Sequence, residues 1–166
     1  MYIRSCGYAS GYTPESVRKY AKQAAEAIPR MMAETNADAI VVSGNSGISI
    51  GHAALMLIEF PLVLVRKNKD NSHGTAVEGP LNHKLRRYLI LDDFVSSGAT
   101  VRNICDTLYS QAIERDSTPP ECMGVLEYTL DWAEGNQHGD VSWRSPSDIL
   151  IRIPQYTMKS LGERHG

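Results

Sequence analysis

Apolar residues in this chain fall into short unbroken runs, separated by stretches in which they recur every three or four positions. Asp38-Ala-Ile-Val-Val-Ser43, Pro61-Leu-Val-Leu-Val-Arg66, Tyr88 to Leu91, Cys122 to Tyr128 and Ile149 to Ile153 are such runs and read as five strands. Because the runs are continuous, each strand is expected to be covered on both faces. Val17, Tyr20, Ala21, Ala24 and Ile28 keep helical spacing behind Thr13-Pro14-Glu15. There Thr13 can cap, Pro14 suits the first helical position and Glu15 suits the positive end. Pro29 lacks a backbone N–H and is expected to kink or end this helix. Ile48 to Phe60 is predicted as a second helix, after a turn at Gly44-Asn-Ser-Gly47. Thr100 to Arg115, with Val101, Ile104, Cys105 and Leu108 on one face, predicts a third, which Ser117-Thr-Pro-Pro120 stops.

Strands alternating with helices predict an α/β fold, a central mostly parallel sheet flanked by helices. Two polar stretches, 67–86 and 131–147, have no clear period. The first reads as a long loop or floppy hairpin, and a structureless loop of that length in a compact domain is usually functional. Ligands of such sheets bind beyond the carboxyl ends of the strands. The turns at 43–47, 66–70, 92–100 and 127–132 each follow a strand and are expected to gather on one rim.

Composition changes this picture little. The 166 residues, 42% hydrophobic and 22% charged, suit one soluble globular domain spanning 1–166. A formal net charge of −2 gives no overall attraction to nucleic acid or to an anionic membrane. No apolar run reaches the length of a membrane span, and the polar N-terminus does not read as a signal peptide. Cys6, Cys105 and Cys122 match no zinc spacing and are odd in number, so a reducing, cytoplasmic setting is expected.

The chemistry concentrates where the third strand ends. Asp92 and Asp93 are adjacent carboxylates, suited to sugar hydroxyls or to a magnesium ion (Mg2+); taken alone they read equally well as solvated turn acids. Ser96-Ser97-Gly98-Ala99-Thr100 then offers backbone N–H groups and three hydroxyls ahead of a helix N-terminus, which is a ready anion site. Gly98 lets the backbone approach a ligand closely. A phosphorylated ribose carries groups for both features.

Leu91-Asp-Asp-Phe-Val-Ser-Ser-Gly-Ala-Thr100 resembles the phosphoribosyl-pyrophosphate (PRPP) motif of the type I phosphoribosyltransferases, a fold with a small hood over the sheet. The resemblance implies that Asp92 and Asp93 hold the ribose hydroxyls, directly or with Mg2+, and that Ser96, Ser97, Gly98, Ala99 and Thr100 wrap the 5′-phosphate. Ser43-Gly44-Asn45-Ser46-Gly47 falls where the family has its pyrophosphate loop. Leu62 to Lys69 resembles the strand and basic stretch before the family's mobile catalytic loop, so Arg66, Lys67 and Lys69 are expected to face pyrophosphate. The Leu-Val-Arg-Lys wording is closest to adenine phosphoribosyltransferases. The implied reaction moves phosphoribose from PRPP to a nitrogenous base, a purine and possibly adenine, releasing pyrophosphate. Dimers are common in the family, so a homodimer is implied.

The chain departs from the family pattern in two places. Its pyrophosphate loop is uncharged, where many relatives have Lys or Arg. Ser96 stands where hypoxanthine- and guanine-type members commonly place an acid. Glu127, after the fourth strand, would suit an amino-bearing base. Tyr128 and Tyr156, with Trp132 and Trp143, are candidates to stack on a base or else to pack in the core. The hood must come from the N-terminus or from residues 127–158. A rival reading is a PRPP sensor with the same fold and no catalysis. P-loop and dinucleotide fingerprints are absent from the sequence.

Overall fold

The computed structural model describes residues 13–66, 75–80, 84–93, 95–128 and 141–157. The first described element is helix α1 (Pro14–Thr35), where Thr13 Oγ1 accepts the Ser16 N–H at 3.2 Å. Pro29 does not end it. The helix continues to Thr35 and closes on Asn36, a left-handed residue whose N–H reaches the Met32 carbonyl. A proline inside a helix costs about 3 kcal/mol. Pro29 lies on the exposed side, while Ile28 and Met31 on the other side are fully buried. Each such burial contributes about 1.5–3 kcal/mol, so packing outweighs the lost hydrogen bond.

Strand β1 (Ala39–Ser43) runs straight into helix α2 (Gly44–Leu55). Residues 44–47 are therefore the first turn of that helix and not a separate turn before it. The helix also stops before Phe60: the Leu57 N–H and Ile58 N–H turn back onto the Ala54 carbonyl at 2.8 and 3.1 Å. Strand β2 (Leu62–Val65) follows, then a short strand β3 (Val77–Glu78) within the stretch read as loop or hairpin. Next come β4 (Arg87–Asp92), helix α3 (Ala99–Glu114) and β5 (Glu121–Glu127).

Among the described residues the main sheet has six strands, in the order β3-β2-β1-β4-β5 and then β8 (Gln155–Thr157). All its pairings are parallel except that of β3 with β2. Alternate residues supply its two covered faces, as strand geometry requires. Ile40, Val42, Leu89, Leu91 and Leu126 pack toward α1 and α2, with Ile28, Met31 and Ile50. Ala39, Val41, Tyr88, Ile90 and Val125 pack toward α3, with Val101, Ile104 and Leu108. Within that second layer the Tyr88 hydroxyl donates to Cys105 Sγ at 3.3 Å, and Cys122 lies beside both. Both cysteines are free thiols, as core packing predicts.

The last strands depart from expectation. Val141 to Arg144, read as part of a polar connection, form strand β6, which pairs antiparallel with β7 (Leu150–Ile153) in a separate two-stranded sheet. Val141 and Trp143 face inward while Ser142 and Arg144 face out, a period-2 signal too short to stand out in a polar context. Ile149 to Ile153 thus does not supply the fifth strand of the main sheet. Pro154 cannot donate to a ladder, and the chain changes sheets there; its carbonyl accepts the Val125 N–H at 2.9 Å and starts β8 beside β5. The hairpin of β6 and β7 rests on α3: Trp143 Nε1 donates to Asp106 Oδ1 at 2.7 Å, and the Tyr109 and Ser147 hydroxyls bond. No described helix is long and apolar enough to cross a membrane.

Candidate active site

From β1 the chain crosses through α2 to β2 on one side; from β4 it crosses through α3 to β5 on the other. The reversal of strand order lies between β1 and β4, the place where sheets of this kind offer a ligand crevice beyond the strand ends. The sequence puts Ser43 on one lip and Asp92 on the other.

Asp92 is the last residue of β4 and only 6% exposed. Its Oδ1 accepts the Asp93 N–H at 3.0 Å and the Ser46 hydroxyl at 3.4 Å. Asp93 is half-buried at the start of the turn. Ser46 therefore ties the first turn of α2 to the diacid across the crevice. The two elements come this close because of Gly47: a Cβ there would lie 2.8 Å from the Leu91 carbonyl oxygen. Backbone faces side chain-free backbone, and any larger residue would push α2 off the end of β4.

The turn between β4 and α3 is pinned at both ends. Val95 is buried in the core, and its N–H donates to Glu127 Oε1 at 3.1 Å. Gly98 occupies the left-handed region at φ 71° and caps α3. A Cβ there would also strike Val141 Cγ1 at 2.8 Å, so the β6–β7 hairpin braces the turn from outside. Arg102 reaches back one helical turn and donates through Nη2 to the Ser97 carbonyl. Ser97 Oγ accepts the Ala99 N–H at 3.3 Å. Ser96 and Ser97 stay exposed, Gly98 is buried and Thr100 half-buried.

The helix N-termini differ in a way that bears on chemistry. The N-terminus of α1 has a side-chain cap from Thr13 and an acid, Glu15, in its first turn. Neither α2 nor α3 has an acid there or a bond from the side chain of its capping residue, although Ser97 Oγ takes the Ala99 N–H at the start of α3. Ser43 holds the capping position of α2, yet its buried Oγ makes no bond to the helix or to any other group among the described residues. Both ends emerge at the rim, where their remaining backbone N–H groups and positive dipole ends favour an anion.

Other residues singled out by sequence are placed as follows. Arg66 sits at the end of β2, next to Val65, which pairs with Ser43, so it shares the rim. Its guanidinium is paired with Glu78 of β3, Nε lying 2.9 Å from Oε1. Lys67, Lys69 and Trp132 lie outside the described residues. Glu127 is buried and turned to the Val95 N–H. Tyr128 is in the core, its ring 5.3 Å from that of Tyr20. Tyr156 packs across Gly124 of β5. Trp143 is buried against α3, edge-on to Tyr109. The sequence reading missed Arg102 as a partner of the turn. The signal was there: a long donor one turn past Gly98 can fold back onto that turn.

Comparison with known proteins agrees with this geometry. A hypoxanthine/guanine phosphoribosyltransferase of Methanocorpusculum labreanum is 35% identical over 85 residues, 44% of this chain and 46% of that protein. The match therefore spans about half the length of the curated relative. Among solved structures, adenine phosphoribosyltransferase from Saccharomyces cerevisiae superposes with a TM-score of 0.54 at 17% identity, covering 88% of this chain and 80% of that one. Orotate phosphoribosyltransferase from Francisella tularensis gives a TM-score of 0.50 at 16% identity, covering 72% and 55%. No protein-family model matches the chain. The fold is that of the type I phosphoribosyltransferases, as the resemblance implied. These three proteins are named for different bases, so the adenine-like wording near Arg66 is not singled out.

Proposed function

We propose that the protein transfers phosphoribose from PRPP to a nitrogenous base and releases pyrophosphate. The observation that carries this reading is the rim between β1 and β4. There two acid-free helix N-termini flank a carboxylate pair. One anion site beside a diol-binding diacid suits a sugar phosphate; a second on the far lip suits the pyrophosphate of the same donor. In this reading Asp92 and Asp93 receive the ribose hydroxyls, Ser96 to Thr100 the 5′-phosphate, and Ser43 to Gly47 the pyrophosphate.

The donor set also suits magnesium. No group of three or more His, Cys, Asp or Glu side chains among the described residues forms a metal cage. A hard cation held by one or two carboxylates and completed by substrate phosphates needs none. Asp92 and Asp93 would hold it, and it would supply charge neutralisation for departing pyrophosphate. Because Ser43 to Gly47 brings no side-chain charge and Arg66 is shared with Glu78, the described residues of this lip offer the leaving group mainly backbone N–H groups and Ser46, beside the magnesium and the expected Lys67 and Lys69. Purines are the first acceptors to try. Glu127, the residue that favoured an amino-bearing base, is engaged with Val95 instead.

The test is turnover and binding together. With PRPP, magnesium and a panel of bases, pyrophosphate and one nucleotide should appear. The double variant Asp92→Asn, Asp93→Asn keeps Oδ1 as an acceptor, so it should stay folded while PRPP affinity falls at least about tenfold, the scale of one charge-assisted hydrogen bond. PRPP binding without turnover of any base would favour the sensor reading. A folded protein that does not bind PRPP would end both.

A further inference from the structure

We infer that Glu127 and Arg102 are a pair of positioning residues that hold the turn from Val95 to Gly98 in its anion-receiving shape. This rests on the reading of that turn as the 5′-phosphate site. Glu127 is 7% exposed and stands in register beside Asp92 on the neighbouring strand. Two carboxylates side by side at a buried strand end repel each other, and burying either is unfavourable unless it is hydrogen-bonded. Chemistry on a base would explain Glu127 if its carboxylate faced the crevice. Instead Oε1 accepts the N–H of Val95, a core residue just after the diacid. The carboxylate thus fixes where the turn leaves the sheet.

Arg102 fixes the other end. Its Nη2 donates to the Ser97 carbonyl, and a Cβ at Gly98 would lie 3.0 Å from its Nη1. In a trans peptide the C=O and the next N–H point in opposite directions. With the Ser97 carbonyl drawn back to Arg102, the Gly98 N–H is directed away from that guanidinium. Val141, packed where a Gly98 side chain would be, stops the peptide from turning over. One anionic and one cationic side chain, from different elements, therefore set the backbone between them. Neither needs to touch the ligand.

The experiment uses the full chain and two probes titrated separately by calorimetry, ribose 5-phosphate and magnesium pyrophosphate. Glu127→Ala and Arg102→Met should each weaken ribose 5-phosphate about tenfold and leave pyrophosphate within about twofold. Glu127→Gln keeps the Oε1 acceptor and should stay within about threefold of the parent. The double variant should lose less than the product of the single losses, because both side chains hold one turn. Thermal unfolding confirms that each variant is folded at the assay temperature. If Glu127→Ala does not fold, Arg102→Met, altered at a half-buried position, decides alone. Variants that bind ribose 5-phosphate like the parent, or that lose both probes alike, overturn the inference. A parent protein that binds neither probe overturns the phosphoribosyl reading and this one with it.

Discussion

Gly47 shows how much one missing side chain can decide. Its place in the first turn of α2 lets that helix lie against the Leu91 carbonyl and brings Ser46 onto Asp92. A backbone oxygen cannot swing aside as a side chain can, so Gly47→Ala must move α2. Overpacking of this kind costs about 1–3 kcal/mol. Urea unfolding should show that loss, and PRPP binding should weaken with it. Unchanged stability and unchanged binding would mean that α2 adjusts freely and that the Ser46–Asp92 contact is unimportant. At this scale the sequence was informative about chemistry and poor about contact. Asp92, Asp93 and the serines were legible as donors and acceptors, because residue type alone fixes that. The turn of Glu127 toward the Val95 N–H was not, because it depends on which strand lies next to β5.

Among the elements, α1 offers the clearest lesson. The apolar stripe from Val17 to Ile28 was readable, and so was the break that Pro29 threatens. Which of the two prevails is a matter of magnitude, and the buried face wins. If that account is right, Pro29→Ala should stabilise the protein by about 1–3 kcal/mol, since it restores a donor on an exposed face at no packing loss. A lower urea midpoint in this variant would show that the proline is favoured by something other than tolerance. The β6–β7 hairpin and β8 were obscured for a different reason. Each is only a few residues long, and short strands hold together through partners that lie far away in sequence.

For the whole molecule, the layer between the sheet and α3 sets a pH dependence. Burial first, then the neighbouring Cys122 and Cys105, holds the Tyr88 phenol well above its ordinary value. The hydrogen bond with Cys105, and then burial, holds the Cys122 thiol well above its own. Cys105 moves the other way, lowered by its bond with Cys122 against the opposing effect of burial. Above about pH 8.5, where an unfolded chain begins to lose thiol protons, the folded protein still binds those on Tyr88 and Cys122. Two groups raised against one lowered leave the folded state with more protons. Cys105, being lowered, adds stability as pH rises toward that value, and above it the two raised groups make stability decline as pH rises through their elevated values. Urea midpoints taken above about pH 8.5 should therefore fall, and Cys122→Ala should flatten the decline. Midpoints that hold level or climb would contradict the assignment.

The sequence by itself determined the α/β alternation, the doubly covered strands, the diacid and the hydroxyl-rich turn. Those depend on local period and residue chemistry, and both are written in order along the chain. Only the tertiary structure decided that β1 and β4 are neighbours, that Ser46 meets Asp92, and that Glu127 and Arg102 converge on one turn. Apart from that of Arg102, which reaches back only to Ser97, such contacts join residues dozens of positions apart. Strand order fixes them, and strand order follows from how two layers of helices fill the two faces of one twisted sheet.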